Sequence, residues 1–226
     1  MMMTIRKDGL QTQKKLLKVA AEVFAEKGYR DTTVAEICQR SGSNVAAINY
    51  HFGGKDSLYA AVWKKAFEEA LAVYPPEGHL PADAPPAARL RALIHSHLHR
   101  ILDHGRLGHA GQILLRELSC PTEVIHQVRR DLISPLQKLT RGIIMELLGP
   151  QASEQQIGFC EMSVIHQCLA IGFREGKLPA FLPKGRPIAE IIDALADHIT
   201  RFSLAGIAVV QAKIEAGGNR EMKSQI

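Results

Sequence analysis

The sequence has 226 residues, of which 46% are hydrophobic, 23% charged and 5% aromatic. This composition is typical of a globular protein with an aliphatic core, and the length suits one or two domains. A membrane-spanning helix needs about 18 consecutive apolar residues, and the sequence contains no such run. Because Met1–Leu10 also lacks the apolar stretch of a signal peptide, we predict a cytoplasmic protein.

The net charge of +5 is unevenly distributed along the chain. Residues 1–55 contain nine basic and five acidic side chains, and therefore carry four of the five net positive charges. A basic N-terminal segment favours binding to a polyanion. Arg6 and Lys7 are either an arm that enters a DNA minor groove or simply solvated charges.

The hydrophobic spacing is helical almost throughout, and the short alternating runs that indicate strands are absent. The N-terminal part is predicted to form four helices: 11–27, ended by Gly28; Thr33 to about Gly42; Val45 to about Tyr50; and Asp56 or Ser57 to about Tyr74. The remainder is predicted to form five more: Ala87–Asp103, about Leu107–Leu118, Thr122–Leu148, Ser153–Glu175 and Pro187–Ala216. We therefore predict an all-α fold of about nine helices, with Gly217–Ile226 frayed.

Residues 32–55 contain the signals of two short helices joined by a turn. Thr33 and Glu36 have the spacing of a capping box, in which Thr33 begins the helix and the Glu36 side chain bonds back to it. Gly42 allows the positive φ that the turn requires, and Gly53-Gly54 ends the second helix. This arrangement is that of a helix–turn–helix.

The second short helix is narrow and polar enough to enter a DNA major groove. Asn49 can bond both N6 and N7 of adenine, and Ala46 or Ala47 can contact a thymine methyl group. Hydroxyl, imidazole and ammonium donors suit phosphate oxygens. The predicted DNA-binding residues are Thr33, Ser43, Asn44, Ala46, Ala47, Asn49, Tyr50, His51 and Lys55. The alternative is a helical pair that packs and binds nothing.

The chain after this motif is predicted to form a separate helical body. We predict a DNA-binding domain at 1–55 and a body at 56–226, in which helix 56–74 connects the two parts and 75–86 is a proline-rich linker. The last two long helices, about 153–175 and 187–216, carry small residues within apolar stripes. We predict that they form a four-helix interface in a homodimer, because a palindromic DNA site needs two heads; packing within one subunit is the alternative.

Polar residues of the body are candidates for contact with a small effector, namely His95, His99, Gln112 and Arg116. The same residues could instead lie on the surface, and Arg116 with Glu117 could form a local ion pair. A metal site at His95 and His99 is disfavoured, because no supporting ligand lies on that helix face, so we predict neither a metal nor a cofactor.

The four cysteines are too scattered for a disulfide scaffold and form no CxxC pair. We expect buried, unreactive thiols at Cys38, Cys120, Cys160 and Cys168.

The run from TTVAEI through SGSNVAAINYHFGGKDSLY, within residues 11–65, resembles the DNA-binding domain of the TetR family of transcriptional repressors. The later LLREL, PT and ISPLQKLTR segments resemble its CecR-like (YbiH-like) subgroup. The resemblance implies a homodimer whose first three helices bind DNA and whose remaining helices form a ligand-binding and dimerising body. The bland segment Val45-Ala46-Ala47-Ile48 departs from the family's more polar recognition helices, so base readout would depend on Ser43, Asn44, Asn49 and DNA shape.

These observations predict a dimeric repressor that binds operator DNA and is released by a small effector, with helix 56–74 as the lever; activation instead of repression stays open. The alternatives are a helical-bundle enzyme and a DNA-binding protein that needs no ligand. An enzyme is disfavoured because the sequence has no GxGxxG, GxxxxGK[ST] or HExxH motif and no Ser-His-Asp order.

Overall fold

The computed structural model describes residues 7–81, 83–102, 111–113, 116–117, 121–124, 126, 129–172 and 185–223. All regular structure in these ranges is helical, which confirms the predicted all-α class. The helices are α1 (Lys7–Asp31), α2 (Val34–Ser41), α3 (Val45–Phe52), α4 (Lys55–Val73), α5 (Pro86–Leu102), α6 (Ser134–Leu148), α7 (Glu154–Gly172) and α8 (Ile188–Lys223). A π-helix, Arg129–Ile133, precedes α6. No helix in the described ranges has the length and apolarity of a membrane span.

The chain divides into two compact units. The first consists of the described residues of Met1–Ala70 and Leu107–Ile133, and the second of those of Leu71–Arg106 and Ser134–Ile226. In the first unit α1 packs against α2 and α3. In the second, α5 packs against α6, α7 and α8, so α5 is the central helix.

Large apolar side chains fill the interior of each unit. The core of the first includes Phe24, Ile37, Ile48, Tyr59 and Trp63, which are almost fully buried. The buried faces of α5 and α8 in the second include Leu90, Ile94, Leu98, Ile192, Ala196 and Ile199. The scarcity of aromatic residues explains why the core of the second unit is mainly aliphatic.

Two of the predicted helix boundaries are wrong. The predicted helix Thr122–Leu148 does not begin at Thr122, because residues 121–124 are not helical. Among the described residues of this stretch, helical structure begins at His126, and the π-helix Arg129–Ile133 leads directly into α6 at Ser134. Pro135 has no N–H to donate to a preceding turn, so it is accommodated in the first turn of α6. The last helix continues through Gly217 to Lys223 instead of fraying after Ala216, since glycine weakens a helix without necessarily ending it.

Gly28 is the predicted break in the first helix. It has φ 78° and ψ 177°, so the helical path is interrupted there although one further turn extends α1 to Asp31. Other predicted features lie outside the described residues: Arg6, Cys120, most of Leu107–Leu118, residues 173–175, and the end of the chain from residue 224.

Candidate nucleic-acid interface

The turn between α2 and α3 is fixed by backbone hydrogen bonds at Gly42. Gly42 has φ 61°, and its N–H donates to the carbonyl of Gln39 at 3.3 Å. The N–H of Ser43 donates to the carbonyl of Cys38 at 3.0 Å, which completes a Schellman motif. A residue with a Cβ would be strained at this φ. The turn therefore sets the direction in which α3 leaves α2.

Both short helices begin at the side chains that the sequence places there. Thr33 Oγ1 accepts from the N–H of Glu36 at 3.2 Å, and Asn44 Oδ1 accepts from the N–H of Ala47 at 2.9 Å. Gly53, with φ 80°, ends α3 by donating to the carbonyl of Asn49 at 2.9 Å. A helix of eight residues is unstable alone, so these caps and the buried Ile48 hold α3 in place.

The outer face of α3 is unobstructed by the rest of its unit. Val45, Ala46, Asn49 and Tyr50 are exposed, which is the spacing of one face of a helix. The opposite face buries Ile48. Ser43, Ala47, His51 and Lys55 are partly exposed, while Thr33 and Asn44 are exposed. All nine predicted DNA-binding residues are therefore at least partly accessible.

The predicted capping box forms only in part. The carboxylate of Glu36 does not bond back to Thr33; it pairs with Lys27 at 2.8 Å and with Arg40 at 2.8 Å. Arg40 also pairs with Glu26 at 2.9 Å. The Lys27 ammonium holds the pKa of the Glu36 carboxyl below its usual value. Two of the basic residues of the head therefore serve ion pairs that join α1 to α2.

Lys55 lies at the start of α4 beside an aromatic ring. Its Nζ is 4.3 Å from the centre of the Tyr29 ring, a cation–π contact. The Tyr29 hydroxyl donates to Asp56 Oδ1, and this bond raises the pKa of Tyr29 to about 12. These contacts fix the position of the Lys55 side chain and leave its ammonium group partly exposed.

Arg116 and Glu117 do not form the predicted ion pair; each bonds to a different part of the first unit. Arg116 donates to the main-chain carbonyls of Ala25 and Glu26 at 3.2 and 2.7 Å, near the break in α1. Glu117 is buried and accepts from the Tyr59 hydroxyl at 2.8 Å and from the N–H of Thr122 at 3.0 Å. Residues 116–122 are thereby bonded to α1 and α4 within the first unit; we name these bonds the 116–122 clasp.

Two of the other predicted effector residues, His95 and His99, belong to α5 in the second unit. His95 contacts Asp193 at 2.9 Å, and the His99 ring stacks on Tyr74 at 4.4 Å. Gln112 is partly buried in the first unit. No cluster of three or more possible metal ligands occurs among the residues that the structure describes.

Two polar residues that lie on the inward side of α5 were not among the predicted site residues. Arg100 is 5% exposed, and His97 lies one turn before it. The signal that could have found His97 is its spacing of three and four from the buried Ile94 and Leu93, which puts it on the inward face of α5.

Helices α7 and α8 present an apolar face to solvent. Phe159, Met162, Phe202 and Val209 are each more than half exposed. A groove of about 270 Å³ runs between these helices and is lined by Phe159, Cys160, Val164, Phe202, Gly206 and Ile207, among others. Several large apolar side chains exposed on two helices that pack together indicate an interaction surface.

Comparison with known protein families identifies two parts of the chain. Residues 16–62 match the family described as bacterial regulatory proteins, tetR family. Residues 86–207 match the C-terminal domain of the HTH-type transcriptional dual regulator CecR. The chain belongs to the TetR family.

The relatives of this TetR protein agree with that assignment. The CecR regulator of Shigella flexneri is 31% identical over 197 residues, which are 81% of this chain and 83% of CecR. The repressor KstR2 of Rhodococcus jostii is 32% identical over 71 residues, 31% of this chain and 34% of KstR2. The predicted family and its CecR-like subgroup are therefore confirmed, and the protein is a transcriptional regulator.

Solved structures share the fold of this TetR regulator. A putative transcriptional regulator from Pseudomonas aeruginosa has a TM-score of 0.62 and 19% identity, covering 88% of this chain and 94% of its own. AibR, solved in complex with isovaleryl coenzyme A and operator DNA, has a TM-score of 0.58 and 21% identity, covering 84% of this chain and 96% of its own.

Proposed function

We propose that this protein is a dimeric transcriptional repressor that binds operator DNA through α3 and is released by a small-molecule effector. The observation that carries the proposal is the outward face of α3, where exposed small and polar side chains stand on a helix that is capped at both ends. Two such helices, one from each subunit, would enter successive major grooves about 34 Å apart. Binding to the chromosome would place the protein in the cytoplasm.

The DNA-facing residues divide into two roles. Asn49 and Ala46 are exposed on the central part of α3 and would contact base edges. Asn44 uses its Oδ1 in the cap, which leaves its amide NH₂ to donate to DNA. Thr33, Ser43, Tyr50, His51 and Lys55 would donate to phosphates, and Ala47 would allow close approach. Because Lys27 and Arg40 are already paired with carboxylates, we assign them no DNA contact.

The apolar face of α7 and α8 is the proposed dimer interface, and a second copy of the chain is its occupant. TetR-family regulators act as dimers. A symmetric dimer brings the same patch of two subunits together, so Phe159 and Phe202, exposed in the single chain, would be buried in both subunits. Burying one such side chain stabilises the dimer by about 1.5–3 kcal/mol.

The effector would bind to the body, proposed as residues 56–226. Its binding would change the position of the head, proposed as residues 1–55. The 116–122 clasp joins a segment of the body to α1 and α4, so a change in this segment would move the helices that carry α3. To release DNA, a ligand must bind more tightly to an arrangement of the helices that does not fit DNA than to the arrangement that does. His95, His99 and Gln112 stay candidates for effector contact, whereas the guanidinium of Arg116 is engaged by α1.

The direction of regulation is part of the proposal. CecR is named a dual regulator and KstR2 a repressor. AibR is named with both an acyl coenzyme A and operator DNA. We propose repression with release for this chain, and we propose no catalytic activity for its body.

A salt titration of DNA binding tests the proposal. Fluorescence anisotropy would compare DNA from the protein's own promoter region with random DNA of equal length. A protein with six to ten phosphate contacts loses about 10³–10⁵ in affinity between 50 and 200 mM salt. We expect that steep slope together with a preference for the promoter sequence. Equal binding to both DNAs, or no binding at any salt concentration, would contradict the proposal.

A further inference from the structure

Among the described residues of the second unit, Arg100 is a buried cation without a carboxylate partner. The Nη1 of Arg100 donates to the carbonyl of Tyr74 at 2.9 Å and to the hydroxyl of Ser96. Its Nη2 is 3.5 Å from Nδ1 of His97. Within the described ranges no Asp or Glu pairs with Arg100. Burying a charge costs free energy unless an opposite charge offsets it.

The protonation states follow from burial. Burial lowers the pKa of Arg100 to about 10, so its guanidinium is still charged at neutral pH. Burial, assisted by the Arg100 charge, lowers the pKa of His97 to about 3, so this ring is neutral. A neutral imidazole has one donor and one acceptor nitrogen. Since Nδ1 faces the Arg100 donor, it is the acceptor, and Nε2 carries the proton.

The remaining polar atoms of this pair are therefore hydrogen-bond donors. The Nε2 of His97 is buried and has no hydrogen-bond partner in the described part of the chain. An ionised carboxylate only accepts hydrogen bonds, and it binds a guanidinium edge through two parallel bonds.

We infer that Arg100 and His97 form the anchor of an effector site and that the effector is a monoanionic carboxylate with an apolar body. This inference rests on the proposed function, because it names the class of ligand that would release DNA. One buried cation matches one negative charge. Leu98 and Ile101 are buried close to His97 and Arg100 in the sequence, and Leu169 is buried on α7, which packs against α5. These side chains favour an apolar remainder for the ligand.

The same arginine is placed to pass on the binding event. Tyr74, whose carbonyl Arg100 holds, directly follows the last residue of α4, Val73. The negative end of a helix attracts a cation, so the end of α4 and a bound carboxylate would share one guanidinium. A carboxylate bound to Arg100 would weaken the hydrogen bond from Arg100 to the C-terminal end of α4.

Isothermal titration of the full-length protein with octanoate tests the inference, with octanamide as the uncharged probe of the same length. We expect octanoate to bind and octanamide to bind about ten-fold or more weakly, since bonds to a charged group are the strong ones. Arg100→Met should lose octanoate binding by about ten-fold or more. Arg91→Met is the matched control, because Arg91 lies on the same helix, exposed and paired with Asp197; its affinity should not change.

Three results would overturn the inference: no octanoate binding to the wild type, equal binding of octanamide, or unchanged binding in Arg100→Met. If Arg100→Met does not fold, Arg100→Lys replaces it, because lysine keeps the charge and loses the two-pronged edge. Anisotropy with promoter DNA separates the two proposals. Octanoate binding without promoter binding would contradict the proposed repressor alone, whereas promoter binding without octanoate binding would contradict the anion site alone.

Discussion

The bond between Tyr59 and Glu117 offers a quantitative test of the 116–122 clasp. The Tyr59 hydroxyl donates to Glu117 Oε1 at 2.8 Å, and the two residues are only 1% and 2% exposed. Tyr59 also packs edge-on against Phe24, with ring centres 4.7 Å apart. The perturbation is a double-mutant cycle of Tyr59→Phe, Glu117→Ala and the two together, because the first substitution keeps the ring and removes only the hydroxyl.

The expected magnitudes follow from which groups lose a partner. A hydrogen bond to a charged acceptor contributes about 1.5–3 kcal/mol, so Tyr59→Phe should lower the free energy of unfolding by about that amount. Glu117→Ala leaves the Tyr59 hydroxyl buried and unpaired, while the half-buried Thr122 can turn to water. We expect a loss of about 2–4 kcal/mol. The double variant should be more stable than the sum of the single losses predicts, by about 1–2 kcal/mol.

Urea unfolding followed by circular dichroism at 222 nm measures these free energies. Protein concentration must be the same for all four proteins, because the stability of a dimer depends on it. Losses that add to within about 0.5 kcal/mol would show that the two side chains are not coupled, and would refute the clasp. Operator affinity in the same variants should fall together with stability, because the bond holds residue 117 against α4, the helix that follows the head.

The remaining predictions concern DNA and assembly. Asn49→Ala should cost about 1–3 kcal/mol on the operator and relax preference at one base pair, measured by anisotropy on single-base operator variants; an equal loss on every sequence would contradict base reading. Lys55→Ala should weaken all sequences alike and reduce the salt slope by about one unit, whereas Lys64→Ala, farther along α4 and exposed, should not. Phe202→Glu should give a monomer in light scattering and lose operator binding, because a carboxylate would enter an apolar interface; Met145→Glu, an exposed site on α6, should stay dimeric, and a dimeric Phe202→Glu would place the interface elsewhere.

The DNA-binding part was predictable because its signals are local. Thr33, Gly42 and Asn44 act on groups within five positions along the chain, so residue type and spacing sufficed to predict the caps and the turn. The exception is Glu36, whose partners Lys27 and Arg40 include a residue on another helix. The reciprocal capping bond was lost to these stronger charged partners.

The body was less predictable because its polar contacts are distant in sequence. Arg116 bonds to carbonyls about 90 positions earlier, and no pattern in its own helix indicates that. In the sequence, Arg100 and His97 look like part of a polar helix face. The histidines of α5 occur at alternate positions, and this spacing does not indicate which of them point inward. Only packing against α7 and α8 decides that question.

The way α3 is anchored bears on how operators and regulators diverge in evolution. Asn44 and Gly53 cap this helix and Ile48 is its buried side chain, whereas the side chains of Ala46 and Asn49 are exposed. Substitution at exposed positions away from caps and core usually changes stability by less than about 0.5 kcal/mol. A duplicated copy of this gene could therefore acquire a new operator through changes at these positions without first gaining stability. The short exposed helix is a part of the protein in which specificity can drift almost independently of folding.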